Sequence, residues 1–346
     1  MDFYPVITED GSISLYNTTI NDIYHSKVGA YTEALNKFVI PSGILERALV
    51  SKKFRILDIC YGMGYNSKSA ITEVLKITPY CTFEVDIIEN DPYVLAFSTL
   101  LQDQNLSPMV EDMFTDSIAA KLDLNSYYIE LSKTLRLQQP YNQDLLIDGD
   151  NKLHNINLDP LLHNIYYRTL SNRNNITYEF NNDSSIARIE LYAEDLRSAI
   201  NKLISPYDIV FHDAFTPIKQ PSLWTKDLFS LIYKLLNDNG VFVTYSSSPS
   251  VRSGLVEAGF HIGNTLAIGR KSPGTIAVKD ISLIKHPLSL YEKGMLNTKS
   301  GIPYYDYNFP LLDSEILNNR TIMQNISSRE SLSAYKKRYI IENIAQ

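Results

Sequence analysis

A glycine-containing turn after an apolar segment is the first place in this chain where the residue types suggest chemistry. The segment FRILDIC is compact and apolar, and the turn after it contains Gly62 and Gly64 before a helical pattern begins. Glycines at a strand-to-helix turn let a ligand approach the backbone, and the helix start offers unpaired N–H groups. Cys60 stands where a dinucleotide fingerprint has its first glycine, so the turn alone is equally typical of a purely structural turn. Because the turn follows the first strand of a strand–helix–strand pattern, a nucleotide-type ligand is favoured for the segment from Asp58 to Asn66.

Acidic residues at the ends of two later predicted strands are candidates to bind the same ligand. Glu89 ends CTFEVDIIE, where a carboxylate can accept hydrogen bonds from both hydroxyls of a ribose. Asp195 ends ARIELYAED, where a carboxylate can accept a hydrogen bond from an adenine amino group. The alternatives are structural: Asn90 or Asp91 caps a helix while Glu89 is merely solvated, and Asp195 caps the short helix that follows it.

The segment FHDAFTPIKQPSLWT is the most specific of the candidates. It places Asp213 at the end of a strongly apolar predicted strand, and the loop that follows contains Phe215, Pro217, Pro221 and Trp224. Ligands of open α/β sheets bind outside the carboxyl ends of the strands, so we expect this carboxylate to face a ligand. The aromatic and proline residues favour a shaped pocket over a generic loop.

Other chemical groups are not arranged for metal binding or hydrolysis. The six histidines show no metal-ligand spacing, and strand alternation puts His212 and Asp213 on opposite faces. Residues 148–150 (DGD) lack the length of a calcium loop, and residues 246–248 (SSS) lack the flanking glycines of a nucleophile elbow. The sequence therefore predicts no metal site.

The order of the predicted elements indicates the fold class. Strand, glycine turn, helix and strand follow one another from residue 54, which is a βαβ unit and favours a parallel sheet. FHIGNTLAIG and GTIAVK then form a hairpin, and an antiparallel hairpin that closes a mostly parallel sheet is typical of nucleotide-fold methyltransferases. We therefore predict an α/β, Rossmann-like class I methyltransferase fold with a seven-stranded sheet. The strand ends that carry Asp58, Glu89 and Asp213 are expected to open into one crevice.

The same pattern predicts the domain organisation. Residues 1–50 form a β-rich lead-in with a helix, residues 51–280 the main domain, and residues 281–346 a C-terminal extension. An insertion of helices and loops at about 101–185 interrupts the regular alternation of the main domain.

The composition excludes several classes of protein. Of 346 residues, 44% are hydrophobic and 21% charged, as in a folded protein with a sizeable core. A net charge of −7 excludes a wholly basic nucleic-acid coat, although a local basic face remains compatible with it. The chain lacks a long apolar run and a secretion-type start, and only Cys60 and Cys81 occur, so we expect no membrane partner and a cytoplasmic location.

Taken together, these segments resemble a known family. LDICYGMGYN, FHDAFTPIKQPSLWT, GVFVTYSSSPSVRSGLVEAGF and the IGRK turn are similar to the methyltransferases that complete 5-methylaminomethyl-2-thiouridine at the tRNA wobble position. The likeness covers most of residues 54–66 and 207–271, and this family tolerates a non-glycine residue at position 60. The lead-in and the tail GIPY…R…KKRY are similar to stand-alone members without a flavin oxidase, whereas the insertion has no counterpart that we can place.

The resemblance implies S-adenosylmethionine as cofactor, no flavin, and tRNA as partner. It implies that Asp58, Gly62, Gly64, Asn66, Glu89 and Asp195 bind the cofactor. It also implies that Asp213 orients the substrate amine and receives its proton, directly or through water.

The resemblance further implies which residues contact the tRNA. Phe215, and Tyr31 from the lead-in, would stack on the flipped-out uracil. Arg270 and Lys271, with the tail cluster Lys336, Lys337 and Arg338, would contact phosphates. For the tail cluster, a solvated basic tail is an equally good interpretation.

Two other functions remain as alternatives. Aminopropyl transfer to a polyamine uses the same fold, but would favour a glycine-denser turn and acid-rich walls. A non-catalytic RNA-binding protein is disfavoured because the candidate carboxylates and glycines occur together.

Overall fold

The computed structural model describes residues 3–25, 28–138, 186–204, 206–266 and 273–344. The described chain begins with three short strands, β1 (Phe3–Ile7), β2 (Ile13–Asn17) and β3 (Asp22–Ile23). They pair antiparallel in the order β1-β2-β3, so the predicted β-rich lead-in is a small sheet.

A second, seven-stranded sheet forms the main body of the fold. Its strands are β4 (Lys53–Ile59), β5 (Thr82–Ile88), β6 (Ala187–Tyr192), β7 (Tyr207–His212), β8 (Leu236–Thr244), β9 (His261–Asn264) and β10 (Thr275–Val278). The strand order is β6-β5-β4-β7-β8-β10-β9. The β4–β5, β5–β6 and β7–β8 pairs are parallel, whereas β10 runs antiparallel to both β8 and β9. This confirms the predicted class I methyltransferase fold with its terminal hairpin.

Helices connect the strands and continue the chain beyond the sheet. The described α-helices are α1 (Ala30–Ala34), α2 (Ile40–Ser42), α3 (Ile44–Arg47), α4 (Tyr65–Ile77), α5 (Pro92–Ser98), α6 (Pro108–Ala119), α7 (Leu124–Gln138), α8 (Leu196–Ala199), α9 (Lys226–Leu235), α10 (Pro249–Glu257), α11 (Leu290–Leu296), α12 (Asp313–Ile326) and α13 (Leu332–Ile344). A π-helical turn, Leu35–Val39, joins α1 to α2. The first part of the predicted insertion forms α6 and α7, and residues 139–185 lie outside the described residues.

The chain divides into two compact units, Met1–Asp195 and Leu196–Gln346. In the first unit, the small N-terminal sheet packs against the helices that follow β4 and β5. The Phe3 and Phe97 rings lie 6.1 Å apart, and the Tyr65 hydroxyl donates to the Ile13 carbonyl at 3.3 Å. The predicted domain boundaries near residues 50 and 280 remain predictions.

Helix α9 ends four residues before the Asn239-Gly240 pair, a pair that is typical of a helix C-terminus. The Asn239-Gly240 pair, which looks like a helix stop, lies inside β8, because the helix ends at Leu235 and the strand begins at Leu236. The pairing of β8 with β7 shifts register between Tyr207 and Ile209, so these polar residues occupy an irregular, bulged start of the strand. Pairing with a distant strand outweighs the local helix signal here.

In the second unit, Arg252 on α10 joins elements that are far apart in sequence. Its side chain is 2% exposed, and it donates to the Thr275 hydroxyl at 3.0 Å and to the Glu292 carboxylate at 3.1 Å. It also donates to the Asn264 side chain at 2.6 Å and to the Gly274 carbonyl at 3.2 Å. One guanidinium therefore connects α10 to the terminal hairpin and to α11.

We predict that Arg252→Ala destabilises the protein by on the order of 3 kcal/mol, because it leaves several buried acceptors without their donor. Urea unfolding followed by circular dichroism measures the change. The matched control is Arg338→Ala on α13, whose exposed guanidinium pairs with Glu330 and Glu342 and lies 5.4 Å from the centre of the Tyr335 ring. Such contacts at the surface contribute little, so its unfolding midpoint should stay near that of the unmodified chain. Equal stability of both variants would contradict the structural role of Arg252.

Candidate active site

The glycine turn between β4 and α4 contains three residues in the left-handed region of backbone space. The φ angles are 60° at Cys60, 56° at Gly62 and 80° at Gly64. A Cβ atom at Gly64 would lie 2.2 Å from the Tyr61 ring, so no residue with a side chain fits there. Cys60 adopts this conformation without being a glycine, at the position where the dinucleotide fingerprint has its first glycine. The turn therefore has the backbone conformation expected of a glycine turn, and its use by a ligand stays a prediction.

Glu89 connects the end of β5 to this turn. Its side chain is buried, and one carboxylate oxygen accepts the Gly62 N–H at 3.0 Å. The other oxygen accepts the N–H groups of Asn90 at 2.9 Å and Asp91 at 3.0 Å. Burial nevertheless raises the pKa of Glu89, because desolvation of the charge outweighs these three hydrogen bonds. The structural alternative is thus correct in one of its two parts. Asp91 caps α5, as that alternative requires, but Glu89 is buried and not solvated.

Asp58 fixes the first turn of α4. It is fully buried, and its carboxylate accepts hydrogen bonds from both the backbone N–H and the hydroxyl of Ser67. Asn66 is buried beside it, in the same turn of the helix. Asp195 is half-buried and lies three residues past the end of β6. The ends of β5 and β6 are neighbours, because the Glu89 N–H donates to the Tyr192 carbonyl at 3.2 Å. The first unit thus brings all six predicted cofactor-binding residues to three neighbouring strand ends.

A buried lysine that the sequence pattern did not single out supports the same turn. Lys68 is 2% exposed, and its ammonium donates to the Met63 carbonyl at 3.1 Å and the Ser98 carbonyl at 3.2 Å. It therefore links the glycine turn to the end of α5. A lysine near the start of the helix that follows the glycine turn was the feature that could have identified it. Its contact with Ser98, thirty residues later, is not visible in the sequence.

In the second unit, two aromatic side chains hold the loop after β7. The Tyr245 hydroxyl donates to the Ala214 carbonyl at 3.0 Å, and the Trp224 indole N–H donates to the Phe215 carbonyl at 2.7 Å. Asp213 and Phe215 are both half-buried in this loop. Trp224 was expected to shape the loop, whereas the contribution of Tyr245 was missed because it depends on a contact across the sheet.

His212, the last residue of β7, belongs to the core. It is fully buried, its ring lies 4.5 Å from that of Trp224, and burial lowers its pKa to about 4. One ring nitrogen lies 2.9 Å from the Leu223 carbonyl. The imidazole is therefore neutral at physiological pH and supports the loop from beneath, which agrees with the predicted alternation of His212 and Asp213.

The residues predicted to contact tRNA differ in their surroundings. The Tyr31 hydroxyl donates to Glu73 at 2.7 Å. Tyr31 therefore lies against the later half of α4, to which Glu73 belongs. Lys336 and Lys337 are exposed on α13, but Arg338 forms ion pairs with Glu330 at 2.6 Å and Glu342 at 3.1 Å. Arg270 and Lys271 lie outside the described residues.

Among the described residues, no group of three or more His, Cys, Asp or Glu side chains is placed to hold a metal ion. None of the described helices is long and apolar enough to cross a membrane.

Comparisons with known proteins agree with the fold. A family model described as S-adenosyl-L-methionine-dependent methyltransferase matches residues 157–280. The uncharacterized protein MJ0670 of Methanocaldococcus jannaschii is 30% identical over 316 residues, which cover 91% of this chain and 70% of that protein. The crystal structure of MnmC2 from Aquifex aeolicus matches with a TM-score of 0.63 and 27% identity, over 93% of this chain and 85% of that one.

Two further relatives carry the name tRNA 5-methylaminomethyl-2-thiouridine biosynthesis bifunctional protein MnmC. That of Azoarcus sp. is 24% identical over 264 residues, 76% of this chain and 33% of that protein. That of Burkholderia vietnamiensis is 38% identical over 80 residues, 23% of this chain and 11% of that protein. The chain thus spans a third or less of these two bifunctional proteins. The fold and these likenesses show that the chain belongs to the MnmC-like family of S-adenosyl-L-methionine-dependent methyltransferases.

Proposed function

We propose that this protein is an N-methyltransferase that methylates the aminomethyl group of 5-aminomethyl-2-thiouridine at the wobble position of tRNA, in the cytoplasm. The names of the two bifunctional relatives support this substrate. The observation that carries the proposal is the half-buried carboxylate of Asp213, in a loop whose backbone is held by two aromatic donors.

The residues at the glycine turn fit S-adenosylmethionine. The turn leaves the backbone of Gly62 without a Cβ atom, and the carboxylate of Glu89 accepts its N–H directly, whereas the space beside Gly64 is filled by the Tyr61 ring. Because the pKa of Glu89 is raised despite three N–H donors, its charge gains from any further donor, such as the hydroxyls of a ribose. When bound, the cofactor supplies an electrophilic methyl group on a sulfonium. In this proposal Asp195 binds the adenine end, while Asp58 and Asn66 keep the turn and the helix start in place.

The chemistry assigned to Asp213 follows from the nature of the nucleophile. A primary alkylamine is mostly protonated at neutral pH, and only the neutral amine has the lone pair that attacks a methyl group. A carboxylate can accept the N–H bonds of the amine, orient the lone pair and take up the proton that the amine releases. Because the loop is fixed by Trp224 and Tyr245, little ordering is left to occur when the substrate binds. Phe215, two residues after Asp213, is proposed to stack on the uracil, and Tyr31 is a second candidate for this contact.

Binding of tRNA requires a local basic surface, because the chain as a whole carries a net charge of −7. Lys336 and Lys337 are exposed and suited to this role, and Arg270 and Lys271 are proposed to act with them. Arg338 is less suited, because two carboxylates already balance its charge.

The first prediction of this proposal concerns Glu89. Glu89→Gln should lower the affinity for S-adenosylmethionine, measured by titration calorimetry, about tenfold or more, because hydrogen bonds to a charged acceptor contribute about 1.5–3 kcal/mol. The control is Glu84→Gln on the same strand, whose carboxylate pairs with Lys53 at the surface. Affinity of the unmodified protein should also fall on acidification, because the charged form binds and protonation begins above the usual pKa of glutamate. Unchanged affinity in Glu89→Gln would refute its assignment to the cofactor.

The second prediction concerns Asp213. Asp213→Asn should keep cofactor affinity and lose methyl transfer to undermodified tRNA by roughly 10²–10⁴-fold, the range typical of acid–base groups. Raising the pH should partly restore turnover, because more of the substrate amine is then already neutral. The control is Asp208→Asn near the start of the same strand, where the carboxylate contacts Asn237.

The same assay with putrescine and decarboxylated S-adenosylmethionine tests the aminopropyl alternative. Near-normal turnover of Asp213→Asn at neutral pH would exclude the assigned role, and transfer to putrescine in place of tRNA would exclude the proposed substrate.

The third prediction concerns phosphate contacts. Affinity for tRNA should fall steeply with salt, and replacing both Lys336 and Lys337 by alanine should reduce the slope of log K against log salt by about 2. Arg338→Ala should change the slope less, because its charge is already paired. Filter binding at several salt concentrations measures this, and an affinity independent of salt would argue against phosphate-led docking.

A further inference from the structure

Tyr24, which directly follows β3, lies over the glycine turn. If Gly62 carried a Cβ atom, it would be 3.5 Å from Cδ1 of the Tyr24 ring and 3.9 Å from Cε1. The face of Gly62 that the missing side chain leaves open is therefore lined by this ring. Tyr24 comes directly after the last strand of the N-terminal sheet, and nothing in the sequence pattern connects it with the turn 38 residues later.

The position of Tyr24 is fixed on both sides. Its backbone N–H donates to the Leu15 carbonyl at 2.8 Å, which continues the pairing of β2 with β3. The next residue, His25, is buried, and its ring lies 5.2 Å from that of Tyr65, the first residue of α4. The backbone N–H of His25 also donates to the Ser14 hydroxyl at 3.1 Å. The ring is thus held between the small sheet and the start of the helix that follows the glycine turn.

The surroundings of the Tyr24 hydroxyl are acidic. Burial, and after it the charges of Glu89 and Asp91, raise the pKa of Tyr24, and a hydrogen bond from Asn17 only partly offsets them. The hydroxyl therefore stays protonated throughout the physiological range and remains a donor. An acceptor carboxylate and a donor hydroxyl thus flank the same glycine turn.

We infer that Tyr24 is a cofactor-binding residue: its ring forms a wall of the S-adenosylmethionine site over Gly62, and its hydroxyl donates to the cofactor beside Glu89. The inference rests on the proposed use of S-adenosylmethionine at this turn, but not on the identity of the methyl acceptor. It gives the N-terminal sheet a function, because that sheet completes the cofactor site of the first unit.

Two substitutions at Tyr24 test this, with titration calorimetry of S-adenosylmethionine and S-adenosylhomocysteine on the full chain without tRNA. Tyr24→Ala should lower both affinities about tenfold or more, and Tyr24→Phe should lower them by a smaller factor, because only the hydroxyl is lost. The matched control is Tyr16→Phe in β2, whose ring stacks on Tyr4 at 5.1 Å and whose hydroxyl bonds to Asn21. It should leave both affinities unchanged.

Thermal unfolding of the same variants separates a binding role from a structural one. Tyr24→Phe should unfold within a few degrees of the Tyr16→Phe control while binding the cofactor more weakly. If the unmodified protein binds S-adenosylmethionine and both Tyr24 variants bind it equally well, the inference is overturned while the proposed function stands. If the unmodified protein does not bind S-adenosylmethionine, the proposed function itself fails, and the inference fails with it.

Discussion

The glycine turn of the first unit depends on one buried carboxylate. Glu89 receives the N–H of Gly62 on one oxygen and those of Asn90 and Asp91 on the other, so it joins the end of β5 to the turn after β4. A neutral side chain would accept these bonds more weakly, whereas a buried charge carries a desolvation cost that they do not fully offset. The carboxylate is therefore held in a state that further hydrogen-bond donors stabilise, which is the condition a ligand site needs.

The second unit fixes its candidate catalytic loop in a different way. Apolar burial, not charge, does most of the positioning, because His212 and Trp224 form a packed aromatic cluster beneath the loop. The donors of Trp224 and Tyr245 then satisfy two carbonyls of the loop backbone. Arg252 plays a comparable structural part at the same end of the sheet, where it joins α10 to the hairpin and α11.

The sequence by itself determined the fold class and the strand ends that carry acids. Apolar runs such as FRILDIC, a glycine turn and a terminal hairpin are local patterns, and each follows from the periodicity and turn chemistry of neighbouring residues. Glu89 and Asp213 were identified for the same reason, because the end of a strand is readable where an apolar run stops. The motifs that resemble the family are also contiguous, so their recognition required no knowledge of the packing.

Tertiary structure decided what depends on residues distant in the chain. The Asn239-Gly240 pair lies in β8 because pairing with β7 outweighs its local helix-stop signal. Lys68 reaches the Ser98 carbonyl and Tyr245 reaches the Ala214 carbonyl, both distant in sequence. The charge of Arg338 is balanced by Glu330 and Glu342, which the net charge of the chain does not reveal. Tyr24 reaches Gly62 only because the small sheet packs on α4. Periodicity reports which face of an element is buried, but not which distant atom lies against it.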